Sequence, residues 1–137
     1  AHLGEAQLNE AHMKKVFLVA AHLARANLLK ADLRDAHLVG AKLAGANLKE
    51  ADLTNAHLEW AFMGTANLLG ACLKGAQMVG TELRGANLAY TDLSGANLED
   101  TSLTWSRLRG ATYNEETFWP EGFDPISAGA VLKECPE

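Results

Sequence analysis

Proline is almost missing from the body of this chain. All three, Pro120, Pro125 and Pro136, lie at or beyond residue 120. Backbone pairing therefore meets no ring and no missing donor before that point. Cysteine is as scarce: Cys72 and Cys135 are far apart, with no C-x-x-C spacing, which excludes a disulfide-dense scaffold. The longest apolar run, residues 16–21, is too short to cross a bilayer, and no basic-then-apolar signal pattern appears among these residues. Positive charge is in the minority, with 12 Lys+Arg against 17 Asp+Glu, and no stretch is uniformly basic, which counts against nucleic-acid binding. Neither G-x-S-x-G nor H-E-x-x-H occurs. Residues 70–75 have the glycine spacing of a phosphate loop, yet Ala76 stands where that loop needs Lys.

What the chain does have is a unit of five residues. From Leu3 to Leu108 every fifth position is Leu or Met, 22 in all, and two residues before each stands Ala in 17 cases. The exceptions are Val16, Thr81, Thr91, Thr101 and Ser106. On an α-helix a step of five rotates by about 140°, which scatters the leucines around the axis. In a flat strand an odd period alternates faces. Only a chain that turns a corner every five residues buries them together. A second period of twenty says how many corners close a circuit. Asn27, Asn47, Asn67 and Asn87 form one column, Asp32, Asp52 and Asp92 another interrupted by Cys72, and His37 and His57 a third. Four quintets make one coil, and coils stacked about 4.8 Å apart make a square rod of about six. Eight glycines occupy the second position after Leu, the corner, where a left-handed backbone is required.

These A-[DN]-L-x-x quintets resemble the pentapeptide-repeat family over residues 1–110. The resemblance implies an all-β fold, a right-handed quadrilateral parallel β-helix, with residues 111–137 as C-terminal cap and tail. In the tail, Tyr113, Phe118 and Phe123 keep the register with rings where Leu stood, and together with Trp119 they are expected to seal the last coil. Residues 127–133 are expected to form a short helix, which Gly129 weakens. The run from Tyr113 to Pro125 resembles the closing segment of cyanobacterial members of the family.

The walls of such a rod are flat, so paired carboxylates such as Asp32 and Asp52 lie in no cleft that would raise a pKa, and catalysis is not expected. Arg34 and Lys74 are expected to offset their repulsion, and the Asn column to bond amide to amide. His37 and His57 lack a third ligand, because Gln77 and Asn97 follow them, so no metal and no cofactor is expected. The column after Leu on that side reads Val19, Val39, Val79 and Trp119, broken by Glu59 and Glu99, with Trp60 and Phe62 at the nearby corner. An apolar patch of this kind is either covered by the tail or presented to a protein partner. A tail along the Asp side would bring Cys135 towards Cys72 and allow a disulfide. A tail over the Val side leaves both as thiols.

The sequence opens in register at Ala1, without Met and without a visible cap. An upstream cap, or an end-to-end homodimer through the first coil, would cover its free backbone groups. Residence in the cytoplasm is expected, or in the periplasm or thylakoid lumen if a signal peptide precedes Ala1. The expected function is non-enzymatic: a protein–protein interaction scaffold with an unidentified protein partner, no nucleic acid and no membrane. The alternative, inhibition or protection of DNA gyrase by DNA mimicry, is a known activity within the family. It needs a strongly negative rod. Residues 1–110 carry 11 acids and 11 bases.

Overall fold

Every fifth residue from Glu5 to Gly110 sits in the left-handed region, with φ between +56° and +71°. Eight of these corners are Gly, and the other 14 carry side chains, among them Trp60, Thr65, Tyr90 and Trp105. At each corner the next amide bonds back to the Leu carbonyl, as Ala26 N to Leu23 O at 3.0 Å, which is the pattern of a type II turn. An L-residue in this region costs about 1–2 kcal/mol. The non-glycine corners persist because the rungs on both sides fix them.

The computed structural model describes residues 2–133. Parallel bridges join residues twenty apart on four sides, from His2–His22 through Asp92–Thr112. The lower coil's Leu amide donates to the residue above, as Leu48 N to Asn67 O at 2.7 Å, and the upper residue's amide donates back, as Asn67 N to Ala46 O at 2.9 Å. The sides are named by their outward residues. Side A carries His2, His22, Lys42, Phe62, Glu82 and Ser102. Side B carries Gln7, the Asn column and Arg107. Side C carries His12, Asp32, Asp52, Cys72, Asp92 and Thr112. Side D carries Phe17, His37, His57, Gln77, Asn97 and Phe118. Inside run two ladders, one of Leu and Met and one of Ala, buried from Leu18 onward with few breaks. The Thr positions fit because their hydroxyls are satisfied: Thr81 Oγ1 donates to Leu58 O at 2.7 Å, and Thr101 Oγ1 to Leu98 O at 2.7 Å.

The Asn column does something other than the amide ladder expected of it. Asn47, Asn67 and Asn87 each accept, through Oδ1, the amide two residues on, at 3.1 Å. Asp52 and Asp92 do the same on side C. A short side chain that caps its own turn explains why Asn and Asp share this position. Asn27 also caps its corner, and its Nδ2 makes one amide–amide bond, to Gln7 Oε1.

The C-terminal segment departs from expectation at three points. The bridge Asn97–Phe118 spans twenty-one residues, so a one-residue insertion at the 114–117 turn shifts the register. Phe118 thereby faces outward, 64% exposed, and Trp119 takes the inward place. Trp119 meets Tyr113 edge-on at 5.3 Å and stacks on Phe123 at 5.2 Å. Residues 127–133 form no helix. A turn closed by Ala130 N to Pro125 O, with Gly129 at φ +96°, leads into strand β2 (Val131–Leu132). β2 pairs in parallel with β1 (Thr112–Tyr113) and so adds one rung to side C. The described tail therefore caps the end and leaves the Val column uncovered. Cys72 is a thiol with its Sγ 3.2 Å from Thr54 Oγ1, whereas Cys135 lies outside the described residues.

Candidate protein-binding face

Sides D and A meet at a corner that gathers several of the exposed apolar residues, whereas others, such as Tyr90 and Trp105, stand at different corners. On side D the Phe17 ring stacks on His37 at 4.4 Å, and His37 on His57 at 5.1 Å, with the planes within 13°. The twenty-residue period places these rings one above another. Val19, Val39 and Val79 follow on the corner itself. Val19 is 58% exposed, while Val39 and Val79 are half-buried. Trp60 and Phe62 extend the surface around to side A, 60% and 50% exposed. Phe17, at 77%, is the most open of all. Four of the sequence-derived surface residues, Val19, Val39, Trp60 and Val79, thus share one corner. Trp119, the last apolar member of the Val column by sequence, has moved into the end of the core.

Trp60 holds its place by packing that residue spacing alone does not announce. Its ring lies where a Cβ of Gly80 would stand, so the glycine one coil above provides its floor. Tyr90 lies over Gly110 in the same way. The signal in the sequence is an aromatic at one corner and Gly at the same corner twenty residues later. Glu59 interrupts the valines. Its Oε1 is shielded from solvent without a hydrogen bond, 3.7 Å from His57 Nδ1. Protonation of His57 would turn that approach into an ion pair.

The rest of the surface offers little chemistry. On side C the Arg34 guanidinium grips Asp32 with two bonds of 2.8 Å and reaches Asp52 at 3.8 Å. That grip lowers the Asp32 carboxyl to about 2 from an ordinary 3.8. Lys74 makes no ion pair among the described residues, so Arg34 does most to offset the two carboxylates, with a smaller attraction from Lys14 on Asp32. On side A the Lys42 ammonium above His22, more than partial desolvation or His2 below, pushes the His22 imidazole down from 6.5. Among the described residues no three His, Cys, Asp or Glu side chains converge as a metal site would need. No helix among them is long and apolar enough to cross a membrane.

The family model for pentapeptide repeats matches eight copies, over residues 1–38, 31–70 and 76–112. The chain belongs to the pentapeptide repeat family. This pentapeptide repeat protein is similar to Rfr23 from the cyanobacterium Cyanothece 51142, with 33% identity over 68% of its length and a TM-score of 0.68. The match spans 63% of Rfr23, less than two thirds of that protein. It is also similar to HetL from the cyanobacterium Nostoc, described as involved in heterocyst differentiation regulation: 26% identity, 96% of this chain, 72% of HetL, TM-score 0.56. QnrB1, a plasmid-mediated fluoroquinolone resistance protein, aligns at 20% identity over 83% of this chain and 65% of its own, with a TM-score of 0.44, too loose a likeness to carry function across. No curated protein sequence matches the chain significantly. The right-handed quadrilateral β-helix is the fold of the family, and its members are in general structural or interaction proteins.

Proposed function

We propose that this chain is a non-enzymatic scaffold that holds a protein partner against the corner between sides D and A. The observation that carries the reading is the cluster of exposed Phe17, Val19, Trp60 and Phe62 around one rigid corner that the described tail leaves open. Scattered apolar side chains are ordinary on a surface, whereas a contiguous group on an immobile frame is how a binding surface is built. The aromatic members are the residue types that anchor interfaces. The walls that meet at this corner are flat, which supports binding over catalysis there. The partner this face fits is a protein with a flat or gently concave apolar surface.

The test is site-specific photo-crosslinking. A benzophenone side chain is placed at Trp60 and, as a control, at Arg107 on side B, in extract of the native organism. One discrete product from position 60, lost when Val39→Lys and Val79→Lys are added, is the expected result. Equal labelling from both positions, or a product indifferent to the two lysines, would refute the assignment.

A further inference from the structure

The cap closes sides C and D and leaves the coil unfinished on side A. In every coil below, the Leu amide on this side donates to the next coil, as Leu83 N does to Ser102 O at 2.9 Å. The corner amide does likewise, as Gly85 N to Thr104 O at 2.9 Å, and the Thr81 carbonyl accepts from Ser102 N. One coil higher, among the described residues, the amides of Leu103 and Trp105 and the carbonyl of Thr101 have no hydrogen-bond partner. Leu103 is only partly buried, unlike Leu83 directly beneath it. A cleft of about 590 Å³ stands over these groups, between residues 101–104 and 120–123. Phe123, Ser102 and Thr104 are among the residues that line it.

We infer that this cleft binds an extended segment of another polypeptide, which adds one rung to side A by backbone pairing. Three features define the occupant. Its amide donates to Thr101 O and its carbonyls accept from Leu103 and Trp105, which repeats the bonding of every rung below. A Leu-sized side chain of the segment points inward and completes the cover of Leu103. The outward side chain is Lys or Arg, because the surroundings are acidic: Glu82 stands below Ser102 on the same side, Glu99 and Asp100 precede Thr101, and Glu121 lines the cleft. Arg84, the base near that corner, is turned onto the Trp105 ring at 4.5 Å. This surface lies apart from the corner assigned above, and neither assignment depends on the other.

The probe is a fluorescein-labelled synthetic peptide, Ala-Lys-Leu-Lys-Gly-Ala-Lys-Leu-Lys-Gly, titrated into the full chain with polarisation and amide NMR as readouts. Saturable binding is expected, with slowed hydrogen exchange at the Leu103 and Trp105 amides. The same peptide N-methylated at both Leu-preceding lysines, either of whose amides could donate to Thr101 O, should bind at least tenfold more weakly. Replacing its lysines by glutamates should weaken it as much. The modified peptides meet unaltered protein, so these comparisons do not depend on a variant's folding. Leu103→Glu should also abolish binding. No saturable binding, equal binding of the N-methylated peptide, or protection at Val39 and Trp60 in place of Leu103 would each overturn the inference. Concentration-dependent self-assembly of the protein that itself protects Leu103 would assign the cleft to a second copy and overturn it as well.

Discussion

Gly40, Trp60 and Gly80 occupy the same corner on three successive coils, and they separate two costs that are usually confounded. All three have a left-handed backbone, with φ +67°, +60° and +71°. A methyl group at Gly40 meets nothing within 4 Å, whereas at Gly80 it meets the Trp60 ring. Gly40→Ala therefore carries the conformational cost of about 1–2 kcal/mol. Part of it is offset by about 0.4–1 kcal/mol from the stiffer unfolded chain. The expected net destabilisation is about 1 kcal/mol. Gly80→Ala carries the same penalty and also expels the ring. Trp60 is 60% exposed, so the expelled ring gives up about 100 Å² of packed surface on a side chain that can bury up to about 250 Å². At about 25 cal/mol per Å² that adds about 2.5 kcal/mol, for a total of about 3.5. Urea unfolding followed by circular dichroism measures both variants, and tryptophan emission reports the ring's exposure. In a Trp60→Gly background, Gly80→Ala should fall back to about 1 kcal/mol, a coupling of about 2.5. Equal destabilisation by the two single variants, or an additive cycle, would refute the reasoning.

Asn67→Ala should cost about 1 kcal/mol by thermal unfolding, the worth of one turn-capping hydrogen bond, and Asn67→Asp should cost far less because Asp caps the corners on side C. An amide ladder would make the aspartate the worse of the two. The depressed carboxyl of Asp32 stabilises the fold above its unfolded value of 3.8, and that contribution disappears as pH falls through about 2. Carboxyl NMR should find that midpoint, and Arg34→Leu should move it up towards 3.8. The stability at stake is under about 1 kcal/mol because the pair faces water. Val39→Lys combined with Val79→Lys should shift the melting temperature by no more than a few degrees, since the described tail packs on side C. A larger fall would mean that this column is covered. DNA gyrase supercoiling should proceed unchanged at micromolar protein, as expected of a rod with 11 acids and 11 bases over residues 1–110.

The winding is legible from residue spacing because one rule, Leu inward at each quintet, repeats without a slip from Leu3 to Leu108. The Asn column is legible as a column, yet its chemistry is not. Spacing reveals which residues share a side, and the competition between a neighbouring coil and a residue's own turn amide is settled only by geometry. Non-glycine corners such as Trp60 and Thr65 are opaque for a related reason, since local preference argues against a left-handed Thr and the rungs above and below override it. At the C-terminal end, the extra residue before Phe118 exchanges the roles of Phe118 and Trp119. A single insertion has no signature when the following residues are both aromatic. Val19, Val39, Trp60 and Val79 gather at one corner because the register alone puts them there. The twenty-residue period also sets Phe17 beneath His37, whereas the near-parallel stacking of the two rings depends on side-chain orientation that spacing does not give.

The twenty-residue circuit makes the length of this protein a quantised variable. Removing a whole circuit shortens the molecule and leaves each wall's composition in line with itself. Excising a single quintet from the middle would instead rotate everything above it by a quarter turn, so that the valine column would continue into Arg84 and Thr104 and a docking face would end abruptly. Natural gain and loss within such a chain should therefore come in multiples of twenty wherever a wall has work to do. The irregular insertion tolerated near residue 115 then marks the height at which wall alignment stops mattering.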